Sequence, residues 1–274
     1  MKLLLLLLAL PMFCFGQNVN IPDANFKAYL VTNPYINTNG DSEIQVSEAS
    51  IFNGNIDCNT MNISNLTGIE AFTALTTLNC SWNQLSSLNL SACTALTYLY
   101  CNRNQLTSLD VSGCTALTYL VCYYNQLTSL DVSAFTALSD LVCYDNQLTS
   151  LDLSNNTALT GLSCNGLSLT SLDVKNGNNI NMWYFFAYNN PNLSCIEVDN
   201  ATWSTANWIG NYIVFDSQHY FSNNCSGTGS IQELNTNKKL LKVTDLLGRE
   251  TKATNQVLIH IYDDGTLEKK IVFE

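Results

Sequence analysis

From Leu75 to Asn179 the apolar positions recur with a period of 21 residues. The five copies read LTTLNCSWNQLSSLNLSACTA, LTYLYCNRNQLTSLDVSGCTA, LTYLVCYYNQLTSLDVSAFTA, LSDLVCYDNQLTSLDLSNNTA and LTGLSCNGLSLTSLDVKNGNN. Each contains two units of the form L-x-x-L-x-apolar, such as Leu96, Leu99 and Cys101 followed by Leu106, Leu109 and Val111. Alternation at the end of each unit predicts a short strand with one face buried. A fixed period in the twenties predicts a solenoid of stacked coils, mostly β, with parallel strands.

A lone coil has no means of folding: ordering its backbone costs more conformational entropy than its few leucines return by burial. Stacking adds strand hydrogen bonds and a continuous core between neighbours. An asparagine recurs after the first unit (Asn83, Asn104, Asn125 and Asn146), and its amide, both donor and acceptor, is suited to satisfying turn backbone in coil after coil. The series is expected to end where Leu167 takes its place.

The frame L-x-x-L-x-C-x-x-N-x-L resembles the leucine-rich repeats of internalin-like bacterial surface proteins, in which a cysteine replaces a core leucine. That resemblance implies a binding module. Residues 56–200 are assigned to the solenoid, with 56–74 as a degenerate first coil that points Ile56, Cys58, Ile63 and Leu66 inward. Beyond 179 the pattern decays, and a strict 21-residue spacing puts Phe185 in the cysteine position. Residues 201–229, with Trp203, Trp208, Tyr212, Phe215, Tyr220 and Phe221, are expected to form an aromatic C-terminal cap over the last leucines.

Residues 17–55 form the N-terminal cap, where Pro22 and Asp23 open a short helix with Phe26 and Leu30 on one face. The stretch NTNGDSEIQVSE follows. It resembles an EF-hand or dockerin-type calcium loop, with Asn37, Asn39 and Asp41 at the first ligand positions, Glu43 at the carbonyl position and Glu48 at the bidentate twelfth. It departs from that pattern at Asn37, where Asp is usual, and at Ser42, where Gly makes the turn. An ordinary Asn/Gly/Asp turn is the other reading.

Hydrophobic residues make up 46% of the chain, only 12% is charged, and the net charge is −11. Between Lys27 and Lys238 the basic residues are Arg103 and Lys175, which leaves no basic footprint for nucleic acid or an anionic membrane. Residues 1–16, MKLLLLLLALPMFCFG, read as a secretory signal too short for a membrane span. Cys14 lacks the flanking context of a lipidation site. No other segment is expected to cross a bilayer. From 230 the composition changes, and six of the nine lysines lie from Lys238 onward. KVTDLLGRE with Gly248, YDDGT, and a terminal strand carrying Lys269 and Lys270 are similar to the C-terminal sorting domain of the type IX secretion system. The resemblance implies that residues 230–274 are a small β domain engaging that machinery, and that the protein is exported to the outer cell surface or beyond.

The ladder Cys58, Cys80, Cys101, Cys122, Cys143 and Cys164 reads as small buried hydrophobes, as do Cys93 and Cys114. Cys195 and Cys225, outside the repeats, are the disulfide candidates in an exported protein. Asp110, Asp131, Asp152 and Asp173 form an outward ladder spaced like a pair of glycosidase carboxylates, but no general acid accompanies them, and capping turn N–H groups is the expected role. With His219 and His260 as the histidines, the solenoid has no base for a nucleophilic triad, and an enzyme is not expected.

Comparison between the copies is more informative. TSLDVS barely changes, whereas the outward positions of the first unit vary: Thr77/Tyr98/Tyr119/Asp140, Asn79/Tyr100/Val121/Val142 and Trp82/Arg103/Tyr124/Asp145, with Tyr123 and Tyr144 beside them. Tyrosine also favours exposed strands for its own sake. Variation over a constant core is expected of a recognition surface. Trp82, Tyr98, Tyr100, Arg103, Tyr119, Tyr123, Tyr124 and Tyr144 are therefore expected to form one aromatic patch, rimmed by Asp140 and Asp145, for a protein or carbohydrate ligand. A structural or adhesive protein that self-associates is the alternative.

Overall fold

The computed structural model describes residues 16–210, 212–225, 240–244, 256–262 and 267–272. It divides into two compact units, Met1–Cys225 and Ser226–Glu274. The signal segment therefore lies almost wholly outside the described residues, as do Gly248 and the Asp-Gly turn of the C-terminal segment.

In the first unit Asp23 caps the helix Ala24–Thr32, accepting from the Asn25 and Phe26 N–H groups at 3.0 and 3.1 Å. Its other oxygen accepts from Ser64 N at 2.9 Å, so the same carboxylate ties the helix to the first coil. Phe26 and Leu30 are fully buried at that junction.

The coils then build two sheets around one core. The first runs, all parallel, through Asn55–Asp57, Thr77–Asn79, Tyr98–Tyr100, Tyr119–Val121, Asp140–Val142, Gly161–Ser163, Tyr184–Phe186 and Ile213–Val214. In each three-residue strand the middle residue points inward and its neighbours outward, as the two-residue pleat requires. Leu78, Leu99, Leu120, Leu141, Leu162 and Phe185 are all fully buried. The second sheet is in two pieces: Ser87–Asn89 beside Ser108–Asp110, and Ser150–Asp152, Ser171–Asp173, Cys195–Glu197 and Tyr220–Ser222 in order. No strand forms at 129–131, and Leu109 and Leu130 at the break are only partly buried, unlike Leu88, Leu151 and Leu172. The six ladder cysteines are fully buried between the sheets, unbonded, and burial pushes their thiol pKa values up.

Three sequence expectations need correction here. Phe185 pairs with Leu162, so it holds the second leucine position, and Ala187 stands where the cysteine would be. Two extra residues in the turn around the 3₁₀ segment Asn179–Asn181 displace the frame. The asparagine series does not end at Leu167: one coil later Asn190 donates to the carbonyls of Cys164 and Ala187 at 3.0 and 2.9 Å. Residues 201–225 are not merely a cap, because Ile213–Val214 and Tyr220–Ser222 extend both sheets as a further coil. Around the helix Ala201–Asn207 that coil packs Trp208 on Phe185 and Phe221, with ring centres 5.3 and 5.2 Å apart. Tyr212 and Tyr220, expected in the cap, face solvent at 65% and 57% exposure. Cys195 and Cys225 form a disulfide with their Cα atoms 5.8 Å apart.

The second unit is a three-stranded antiparallel sheet in the order Leu240–Thr244, Gln256–Tyr262, Leu267–Val272.

Candidate functional site

The first-sheet strands from Thr77–Asn79 to Asp140–Val142 end in turns held from inside. Asn125 Oδ1 accepts from Leu106 N at 3.0 Å, while its amide donates to the carbonyls of Cys101 and Cys122 at 3.1 and 3.0 Å. Asn104 and Asn146 repeat the pattern, and Asn83 serves the first coil in the same way. One side chain thus satisfies backbone groups of two successive coils.

The residue before each of these asparagines is left-handed: Trp82, Arg103, Tyr124 and Asp145 have φ of 56, 56, 52 and 51°. Their N–H groups bond the next coil, Arg103 to Tyr123 O at 3.0 Å for example, so the conformation belongs to the stacking. Left-handed backbone costs a residue with a Cβ about 1–2 kcal/mol, and glycine or asparagine escapes most of that. Later coils do use them, at Gly166 and Asn189, with φ of 63 and 57°. Trp82, Arg103 and Tyr124 instead place large side chains on the turn. There the Arg103 guanidinium lies 4.2 Å from the centre of the Trp82 ring and 4.3 Å from that of Tyr124. Tyr123 and Tyr144 stack face to face at 4.4 Å, and both meet the Tyr124 ring edge-on at 5.5 Å. Burial and the two adjacent tyrosines push the Tyr144 hydroxyl up to about 12.

On the strand face proper, Tyr119 lies 6.3 Å from Tyr98 and 5.6 Å from Tyr100. Next in that column comes Asp140, which accepts from Ser139 Oγ at 2.7 Å and from Tyr184 Oη at 3.2 Å. Burial, and secondarily Asp140, raise the pKa values of Tyr119 and Tyr184. Gly161 is required here, because a Cβ would collide with the Tyr184 ring and with Asp140.

The expected residues therefore gather into two clusters rather than one patch. Trp82, Arg103, Tyr123, Tyr124 and Tyr144 crowd the turn, and Tyr98, Tyr100 and Tyr119 hold the strands. Asp145 leans over Gly166, whose Cβ position its carboxylate oxygen would meet. Tyr184 and Trp183 extend the strand face, with rings 4.5 Å apart and Trp183 62% exposed. A strict 21-residue spacing misses both, since the two inserted residues shift them. The run of four aromatics WYFF after a leucine-poor stretch was the available signal.

The other candidates have local roles. Asp110, Asp131, Asp152 and Asp173 each accept from the N–H two residues on, at 3.1, 3.0, 2.9 and 2.8 Å, and cap their own turns. In the loop Asn37–Glu48, Glu48 Oε1 accepts from Thr38 N and Oγ1 and from Asn39 N, and Oε2 from Gln45 N in a capping box. Asn37 Oδ1 takes Gly40 N, Asp41 takes Glu43 N, the Asn39 amide and the Gln45 amide, and the Glu43 carboxylate pairs with Lys27 at 2.6 Å. The side-chain oxygens of Asn37, Asp41 and Glu48 are thus engaged by the loop's own donors, whereas Glu43, whose carbonyl is the oxygen a calcium loop uses, gives its carboxylate to Lys27. Among the described residues no group of three or more His, Cys, Asp or Glu is placed to hold a metal, and no helix is long and apolar enough to cross a membrane.

Comparison with known proteins agrees on the repeat. The family described as Leucine Rich repeats (2 copies) matches residues 94–135. The chain is similar to the functional domain of InlJ from Listeria monocytogenes, whose structure includes a cysteine ladder, at 25% identity, with 68% of this chain and 58% of that one covered and a TM-score of 0.29. It thus spans little more than half of that domain. It is also similar to internalin C2 of Listeria monocytogenes str. 4b F2365 (16% identity, 67% and 98% covered, TM-score 0.33) and to a leucine-rich-repeat protein of Leptospira interrogans (16%, 48% and 52%, 0.33). No curated protein matches the chain. The chain carries leucine-rich repeats and folds as a parallel-strand solenoid.

Proposed function

We propose that the protein is an exported recognition module, not an enzyme, that binds a protein ligand through the aromatic face of the first sheet and its turns. One observation carries this reading. Trp82, Arg103 and Tyr124 occupy left-handed turn positions that disfavour them, and there they build an outward stack on the same sheet as the exposed Tyr98. Large aromatic residues with little freedom are the usual anchors of an interface. A carbohydrate ligand would use the same rings and is the second outcome of the test. Delivery to the cell surface rests on the resemblances at residues 1–16 and 230–274 and on the separate C-terminal sheet.

The test is a protein and glycan array probed with the full chain. Tyr98→Ala and Tyr119→Ala should each weaken the ligand found by about 1–3 kcal/mol. Binding indifferent to both tyrosines would reject this face, and concentration-dependent self-association without a ligand would favour the adhesive alternative. In cells, loss of 230–274 should keep the protein from the surface; normal display of the shortened chain would reject the sorting assignment.

A further inference from the structure

Arg103 is one of two basic residues between Lys27 and Lys238, in a chain of net charge −11. Its guanidinium carbon lies over the Trp82 ring at 4.2 Å and over the Tyr124 ring at 4.3 Å, with the Tyr123 ring further off at 5.8 Å. The five N–H donors of a guanidinium lie in its plane, so a stack occupies the faces and leaves the edge open. Among the described residues the ion pairs are Lys27–Glu43, Lys175–Glu197 and His219–Asp216, and no acceptor bonds the Arg103 side chain. The acids expected at the rim are turned elsewhere: Asp145 lies beyond Tyr124 against Gly166, and Asp140 is engaged by Ser139 and Tyr184.

The geometry points to Arg103 as a binding site for a carboxylate, supplied by an aspartate or glutamate side chain of a polypeptide ligand. A planar guanidinium edge matches a carboxylate in two parallel hydrogen bonds. Clamping between two rings removes most of the side chain's freedom before the ligand arrives, so little is lost on binding. The acidic protein favours this ligand over sulfate or phosphate, because its field opposes a doubly charged anion more than a singly charged one. The Tyr123–Tyr144 stack, beside Tyr124, offers apolar surface to the ligand residues flanking the acid. This assignment rests on the recognition reading above and gives its turn cluster a specific chemistry.

The test follows the Arg103 Nε–Hε resonance of the full chain while N-acetylglutamate N-methylamide is added, with the N-acetylglutamine analogue as the neutral match. Glucuronate and glucose form the sugar pair. The resonance should shift saturably with the glutamate compound and not with the glutamine one. Arg103→Lys should weaken the response of the neighbouring Trp82 indole by roughly tenfold, since lysine cannot present the paired donors; Asp131→Ala should not change it. Equal shifts from glutamine and glutamate, or none from any carboxylate, would overturn the site. Saturation by glucuronate at much lower concentration than by the glutamate compound would overturn the polypeptide assignment. The wild-type titration needs no variant to fold, and it is independent of Tyr98 and Tyr119. Failure here and failure of the strand-face reading are therefore distinguishable.

Discussion

The two halves of each coil use the same leucine unit to opposite ends. In the second half the outward aspartates at 110, 131, 152 and 173 close their own turns, and the surface they make repeats almost unchanged. In the first half the turns are closed from inside by Asn83, Asn104, Asn125 and Asn146, and the sheet runs unbroken from Asn55 to Val214. At its start Asp57 and Asn79 still accept from the N–H two residues on, but from the next coil the outward positions lose that duty, and there the copies differ and the aromatic side chains collect. Variation between copies thus follows from where the hydrogen bonds are satisfied: a surface whose polar side chains hold the turn is fixed by that task, and one held from within is free to take on another.

The largest effect expected from breaking this division is at Asn125. Changing it to alanine leaves Leu106 N without its acceptor in the buried interior, while Cys101 O and Cys122 O each lose one of two donors and keep the amides of Asn104 and Asn146. One buried group left unpaired costs about 1–3 kcal/mol, so Asn125→Ala should destabilise the solenoid by about 2 kcal/mol in urea unfolding. A loss below about 1 kcal/mol would mean that the interior ladder is not what frees the outer face.

How far this division could be read beforehand depended on the repeat. Period 21 placed the strands, the inward leucines and cysteines, and the asparagine contacts between coils, because in-register copies make each residue's neighbours the same residue 21 positions away. It failed where the register moved. Two inserted residues near Asn179 carried Phe185 to a leucine position and hid Tyr184, and the return of the asparagine at Asn190 needed the same correction. The left-handed turn was invisible for another reason. Trp82, Arg103 and Tyr124 are poor markers of positive φ, and the residues that would mark it, Gly166 and Asn189, occur only in later coils.

A smaller effect sharpens the comparison from the N-terminal cap, where a carboxylate works as the interior asparagines do. Burial pushes the Glu48 pKa up, and the hydrogen bonds from Gln45, Thr38 and Asn39 outweigh it, leaving the group below its usual value. A carboxyl depressed on folding stabilises the protein above its unfolded pKa of about 4.3, and the gain is lost as pH falls through the lower folded value. Glu48→Gln should cost about 1–2 kcal/mol at neutral pH in the presence of a chelator, with the difference from wild type closing in acid. A loss of Tm that develops only with millimolar calcium would instead give the loop Asn37–Glu48 to the ion.

The smallest effect bears most directly on which face is which. Asp131 is exposed, accepts from Ser133 N at 3.0 Å, and sits where the second sheet is interrupted. Its hydrogen bonds from Ser133 lower its pKa, so the little it contributes is present at neutral pH and fades as pH falls below the usual aspartate range. Asp131→Ala loses one solvent-exposed turn bond, a change of about 0.5 kcal/mol, and should leave ligand affinity unchanged. Calorimetry of the variant beside Tyr98→Ala reads both quantities. If the second half is the structural surface, Asp131→Ala moves Tm slightly and affinity not at all, while Tyr98→Ala does the reverse. A ligand lost with Asp131 and kept without Tyr98 would exchange the roles of the two faces, because an aspartate whose turn bond is worth so little could affect affinity only by touching the ligand.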